Sequence, residues 1–364
     1  MYHWMYLLMT RFLADMFPSL GERYNSMADT READIKALLE SGGRRIEYRI
    51  RKLIPMRKEE FFKFMQERHN IWYDRFILQN NPPWTTDHIL ATTKYTNVYR
   101  ELDRNTVWFI QNIAEADIEE YVKVMMTFIY TLVNNPVTME TAGPIPISLE
   151  QIPSYIGGLE YAEVYSKRKG IPTFTNSYFI YPVAHGMPKL KAYIEKVIKP
   201  AFEDIESLVD VAIKGDPEEF MKYVTNYPGV GDFIGYEMYC NFALIDFVPF
   251  GFNDFVNIGP GALEGLYRVY GKEQVKAVKD KKSLLDSLQK EFPEFIESSK
   301  LNFHYLSEDK SVHLRVIEHS LCEFHKYCTQ TDNPSGSRRI KYIPKTLDFS
   351  DYLVSYYQNL KLFI

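Results

Sequence analysis

Arg68, His69, Trp72 and Arg75 in RHNIWYDR, Trp84 in PPWTTDHIL, and Asn97, Arg100, Asp103 and Arg104 in TNVYRELDR fall within a short stretch of one 364-residue chain. Guanidinium forks match carboxylates and phosphates, and flat aromatic rings present walls to a planar ligand. Together these residue types have the chemistry to grip an anion beside a ring. At 3.6 residues per turn, Arg68, Trp72 and Arg75 share a stripe with Phe61, Phe64 and Ile71. A charge among apolar neighbours must be paired or must face an anion. Internal ion pairs with Asp74, Glu101 or Asp103 satisfy the same pattern.

A second chemical segment is HLRVIEHSLCEFHKYC, from His313. Leu314, Ile317, Leu321, Phe324 and Tyr327 form an apolar arc, opposite Glu318, His319, Cys322, Glu323 and Lys326. Two carboxyls, an imidazole and an ammonium on one face can do acid–base and anion-handling work; a solvated face with i,i+4 pairs is the plainer reading. One His beside one Cys does not make a zinc site, and no structural metal is expected.

The third is DPEEFMKYVTNYPGVGDFIGYEMYCNF, from Asp216. Asp216, Pro217 and Glu219 start a helix as a capping box does. That helix ends at Tyr227–Pro228, and Gly229, Val230 and Gly231 then lead directly into another helix, where exposed backbone N–H groups favour an anion such as the DNA backbone. This resembles the helix-hairpin-helix of base-excision DNA glycosylases, including a small residue, Gly235, four positions on. Such glycosylases place a catalytic Asp about twenty residues beyond the hairpin; PFGFNDFVNIGPGALEGL offers Asn253 and Asp254 at slightly longer spacing. The second hairpin helix has no lysine nucleophile, which argues against lyase chemistry. Gly259 and Gly261 permit either close approach to a ligand or a simple helix entry.

The elements that must position these groups read as mostly helical, with minor β. Helices are expected near 58–79, 85–92, 95–112 and 115–134, then a Gly/Pro/Tyr/Ser-rich middle over 141–182 with SYFIYP extended, then helices over 188–214 kinked at Pro200. GRRIEYRIRKLIPMRK reads as a strand with a cationic face before Arg57. Further basic clusters are Lys167 to Lys169, GKEQVKAVKDKK, and SRRIKYIPK with Arg338 and Arg339, although net charge is −5. MYHWMYLLM is too short to span a membrane and lacks a secretory pattern. Residues 1–26 are therefore expected to be an extension, and 27–364 a single domain of two lobes, 58–215 and 216–345. Three cysteines, too few for a disulfide framework, suit a reducing, cytoplasmic compartment. No GxxxxGK[ST] phosphate loop occurs in these residues.

RHNIWYDRF, PPWTTDHIL, TNVYRELDR, the hairpin, NIGPGALEGL and IEHSLCEFHKY, in that order over roughly residues 58–345, resemble the helical family of phage thymidine hypermodification enzymes. That family includes the helical module of 5-hydroxymethyluracil DNA kinases and the alpha-glutamyl/putrescinyl thymine pyrophosphorylases, or amino acid:DNA transferases. The resemblance implies a two-lobed, glycosylase-like helical fold acting on flipped bases in double-stranded DNA within a phage-infected cell. Without a phosphate loop, it points to the transferase branch: an amino acid or polyamine displaces pyrophosphate from activated 5-hydroxymethyluracil.

It further implies Arg68, Arg75, Arg100 and Arg104 at the leaving pyrophosphate, with Asp103 orienting them. His69, Glu323 and Lys326 join that pocket, Asn97 contacts the uracil edge, and Trp72 and Trp84 are stacking walls or core. Asp254 ranks first as general base, then Glu318 or His319. Gly229, Val230, Gly231, Arg338 and Arg339 are expected at the DNA backbone. Participation of Mg2+ in pyrophosphate departure is left open. A glycosylase using Asp254, and a noncatalytic DNA-binding partner of a kinase, are the other two classes.

Overall fold

In the computed structural model the described residues are 57–175, 186–332 and 351–364. The basic strand before Arg57, the 1–26 extension, the domain start at 27, SYFIYP, and Arg338 and Arg339 lie outside them. The described residues are mainly helical, with an isolated antiparallel bridge between Tyr305 and Phe363.

Helix α1, Lys58–Phe76, buries Phe61, Phe62, Phe64, Met65 and Trp72 on the face its periodicity marks. After the NPPW turn, Asp87 caps the short α2, His88–Thr92, accepting from the Ile89 and Leu90 amides at 2.8 and 2.9 Å. The single helix expected over 95–112 is instead a 3-10 turn, Arg100–Leu102, then α3, Arg104–Phe109, then a π-helical turn, Ile110–Ala114. The interruption is local. Asp103 is extended and its carboxylate accepts from the Asn97 amide at 3.0 Å, while the Asn97 side chain donates to the Leu102 carbonyl at 2.6 Å. Such side-chain bonds compete with helix propagation.

Helix α4, Glu120–Val133, is buried almost all round and forms the axis of the first core. After α5, Pro136–Ala142, the Gly-rich middle contains a long helix, α6, Ile152–Lys169. Gly158 lets α5 and α6 meet: a Cβ there would stand 1.9 Å from the Ala142 carbonyl oxygen. Over 188–214 run α7, Lys189–Tyr193, a π-helical turn, Ile194–Ile198, α8, Lys199–Glu203, and α9, Ile205–Lys214. The widened turn lies immediately before the segment containing Pro200, whose missing N–H would spoil regular bonding, and the break falls at Asp204 instead (φ −111°, ψ 33°).

Helix α10, Pro217–Val224, is capped by Asp216, and α11, Asp232–Phe242, follows the glycine turn. The remainder is α12, Pro260–Tyr270; α13, Lys272–Ala277; α14, Lys282–Ser298; α15, Leu314–Asp332; and α16, Asp351–Gln358.

Arg57–Ile364 forms one compact unit, whose buried side chains gather round two cores. The first runs from Trp108 to Phe250 and includes Phe128, Tyr193, Phe220 and Phe242. The second joins Phe61–Val107 to Ala262–Tyr357 and includes Trp72, Leu266, Phe292, Leu321 and Phe324. This grouping does not follow the expected division at 215/216, because the apolar face of α1 packs on helices near the other end of the unit.

Candidate active site

Two glycines on α12 bring α15 into place. A Cβ at Gly261 would stand 2.5 Å from Cys322 Sγ, and one at Gly265 would stand 2.2 Å from the Leu321 carbonyl oxygen. Only backbones without side chains approach so closely. Gly261 and Gly265 therefore serve helix packing, while Gly259 is the N-cap of α12. Asn253 fixes the start of α15, its Oδ1 accepting from the Leu314 amide at 2.9 Å and from Gln289 Nε2 at 2.9 Å.

Held this way, α15 has its apolar face buried and its polar face at least half-covered. Leu314, Ile317, Leu321 and Phe324 enter the second core as their spacing predicts. The polar face also turns inward, leaving Arg315 only 4% and Glu323 3% exposed. From α1, Arg68 Nη2 donates to Ser320 Oγ at 2.8 Å. Arg100 Nη1 pairs with Asp103 at 2.6 Å, Lys326 with Glu323 at 2.5 Å, and His319 Nε2 lies 2.6 Å from Thr96 Oγ1. His313 Nε2 meets Glu101 at 2.8 Å, and the Arg315 guanidinium lies 5.1 Å from the Phe252 ring centre. The ion-pair reading thus holds for Arg100. It leaves Arg68 Nε and Nη1, Arg100 Nε and Arg315 Nη1 buried without acceptors.

The protonation states follow from this crowding. Burial, then the neighbouring Glu237 carboxylate, pushes Glu318 up to about 8, against the pull of Arg315, Arg100 and Lys326. Burial and the surrounding Arg100, Arg68, Lys326 and Arg315 hold His319 well below the usual imidazole range. At neutral pH the site thus contains a protonated carboxyl and an uncharged imidazole, both partly open to solvent. Burial brings Arg68 down to about 10, still charged. Burial also raises Asp103 despite Arg100. Glu101 is disfavoured as an anion by burial, but His313 and Arg315 outweigh this and hold it at about 2. Burial pushes the Cys240 thiol up to about 12, which makes it a poor nucleophile.

The structure thus gathers Arg68, Arg100, Asp103, Glu318, His319, Glu323 and Lys326. It does not bring in the rest. Asp254 is exposed and its Oδ2 accepts from the Gly251 amide at 2.7 Å, closing its own loop. His69 and Trp72 are core residues: the rings stack at 5.2 Å, His69 Nε2 bonds the His304 carbonyl at 2.7 Å, and burial pushes His69 down to about 3. Arg75 lies near the rings of Phe76 and Trp84, at 4.8 and 5.3 Å, and Trp84 donates to the Asn80 carbonyl at 2.7 Å beside a cavity of about 250 Å³ lined by Ile71, Pro82, Pro83 and Leu90. Arg104 is exposed at the start of α3. Both amide groups of Asn97, backbone and side chain, are spent on the Asp103 turn.

At the hairpin, Gly229 adopts the left-handed φ of +78°, Val230 is buried and Gly231 opens α11. Gly235 lets α10 and α11 touch, with Met221 and Thr225 atoms 3.1 and 3.2 Å from where a Cβ would lie.

Arg315, Glu237, Thr96 and Ser320 were not singled out by the sequence. Arg315 was within reach, since it precedes Glu318 by one turn on the same face. Glu237 carries no local signal, because only the fold brings α11 to α15. Among the described residues no group of three or more His, Cys, Asp or Glu side chains is arranged to hold a metal, and no helix is long and apolar enough to cross a membrane.

The family described as "5-hmdU DNA kinase, helical domain" matches residues 56–335. A protein of Bacillus phage SP10 named "5-hmdU DNA kinase" is 28% identical over 286 residues, covering 73% of this chain and 44% of the relative. The chain thus aligns with under half the length of that relative. No solved structure matches.

Proposed function

The chain belongs to the family of the 5-hmdU DNA kinase helical domain, and from that premise we propose that it is a transferase acting on activated 5-hydroxymethyluracil in DNA. An amino acid or polyamine forms a C–N bond to the base's methylene carbon, and the C–O bond to pyrophosphate breaks with its electron pair leaving on pyrophosphate. The observation that carries this reading is the inward-facing polar side of α15, where guanidinium N–H groups without acceptors sit beside a protonated carboxyl.

Each part of the reaction finds a group there. Arg68 and Arg100 donate to the departing pyrophosphate in a site that limits water, where preformed donors act most strongly. Glu318, once ionised, accepts the proton of the incoming ammonium, with His319 hydrogen-bonded to Thr96 beside it. The base must leave the duplex to reach them, and the Gly229 and Gly231 amides serve the DNA backbone, while the Val230 amide is bonded to the Tyr227 carbonyl at 3.1 Å. The site of action is the cytoplasm of a phage-infected cell.

A glycosylase reading rests on Asp254, whose carboxylate is engaged with its own loop; this weighs towards transfer. The test is mass spectrometry of nucleosides after incubating pyrophosphorylated 5-hydroxymethyluracil DNA with mixed amino acids and polyamines. Aminated thymidine in the wild type, lost in Arg68→Ala and Glu318→Gln, supports the reading. Alkali-labile sites without aminated nucleoside would replace it with base excision.

A further inference from the structure

On the α11 side of the cluster lies a group that the transfer chemistry does not yet use. Glu237, on the second hairpin helix, faces Glu318 and Arg315, and all three interact electrostatically. Arg315 is 4% exposed, yet its Nη1 has no acceptor, although Glu237, Glu101, Cys240 and Tyr236 surround it. A buried N–H without an acceptor is unfavourable. Phe252 covers the guanidinium within 5.1 Å, which limits water there. Two carboxyls next to a guanidinium with a spare donor are complementary to a molecule bearing both an ammonium and a carboxylate. They are poorly complementary to a diamine, whose second cation would meet Arg315.

We propose that Glu237, Glu318 and Arg315 form the binding site of the incoming nucleophile, and that the site is built for an α-amino acid: the ammonium rests on the two carboxyls and the carboxylate on Arg315 Nη1. The inference deepens the transferase reading and rests on it for the identity of the bound molecule as co-substrate. Arg68, which donates to Ser320, and Arg100, which pairs with Asp103, remain assigned to the leaving pyrophosphate. The division of labour separates two anions, the co-substrate's carboxylate and the pyrophosphate, onto different arginines. Glu237 holds the ammonium while Glu318 takes its proton, so the freed amine is presented with its carboxylate already anchored.

The experiment is titration calorimetry on the full chain with glycine, ethylamine and putrescine, each with and without DNA carrying 5-hydroxymethyluracil. Glycine is expected to bind at least tenfold more tightly than either amine. Arg315→Met should weaken glycine at least tenfold and leave ethylamine unchanged, and Glu237→Gln should weaken both. Comparable binding of putrescine and glycine by the wild type, or no binding of glycine with or without DNA, overturns the proposal. The wild-type series decides even where a variant does not fold.

Failure of the underlying reading has a different signature. Arg315-dependent glycine binding without aminated nucleoside from activated DNA leaves the site standing and removes the transferase. Amination as efficient with putrescine as with glycine keeps the transferase and removes the site as described.

Discussion

Replacing Glu318 by Gln should make the protein more stable at alkaline pH and leave it nearly unchanged at pH 5. The folded chain holds this carboxyl at about 8, above its ordinary 4.5, because burial and Glu237 disfavour the anion. In the window between those values the unfolded chain has lost the proton and the folded chain keeps it. The unfolded state therefore binds fewer protons, and stability falls as pH rises from about 5 towards 8. Above 8 both states are ionised and the full penalty remains. At 1.36 kcal/mol per tenfold in proton affinity, the gap gives an upper bound of roughly 5 kcal/mol.

Glu318 retains some solvent access, and screening of that part leaves an expected effect of about 2–3 kcal/mol. Gln keeps the shape and cannot ionise. Urea unfolding of both proteins at pH 5, 7 and 9, followed by tryptophan fluorescence, isolates this group together with its coupling to Glu237, since the titrations of distant groups cancel in the difference. The Gln variant should gain on the wild type by that amount between pH 5 and 9. A difference that stays constant within about 0.5 kcal/mol would mean that Glu318 titrates normally, and the electrostatic picture of the site would be wrong.

Gly265→Ala puts a methyl into the Leu321 carbonyl and should cost about 1–3 kcal/mol through overpacking, read as a lower urea midpoint together with slower transfer. Arg68→Ala should lower the transfer rate on activated DNA by about 10²-fold, as loss of one preorganised donor does; an unchanged rate removes Arg68 from the site. Asp254→Asn should keep transfer near wild type and lose about 1 kcal/mol of stability through the Gly251 bond; abolished transfer with intact folding would restore Asp254 as the base. The transfer rate of the wild type should rise with pH towards about 8, because Glu318 must be ionised to accept a proton; a rate that falls over pH 6–8 contradicts that role.

What could be read from the sequence was what local periodicity encodes. The apolar stripe of α1, the capped start of α10, the glycine turn before α11 and the apolar arc of α15 all lie where their spacing puts them. The site was legible only in part. Periodicity shows which face of α15 is apolar, but it does not show that the opposite face is also covered, because Arg68 and Glu237 come from distant helices. Glycines were the other blind spot. Gly261 reads as a ligand-approach or helix-entry residue and in fact, like Gly158 and Gly265, allows helices to touch. Trp72 and His69, rich in chemical potential on paper, are packing residues with covered rings.

The two cores place different demands on a chain made from one end. Residues 108–250 contain all the buried partners of their own core and can condense as soon as they emerge. Phe61, Phe62, Phe64 and Trp72 cannot, since their partners on α12, α14 and α15 are synthesised much later. Until then a helix with an uncovered apolar face waits beside a finished lobe, exposed to aggregation or to a chaperone. The arginine of that waiting helix, Arg68, reaches Ser320 only at the last stage of assembly. The proposed catalytic groups therefore come together only when the outer core closes, and an incompletely made chain carries none of the assembled chemistry.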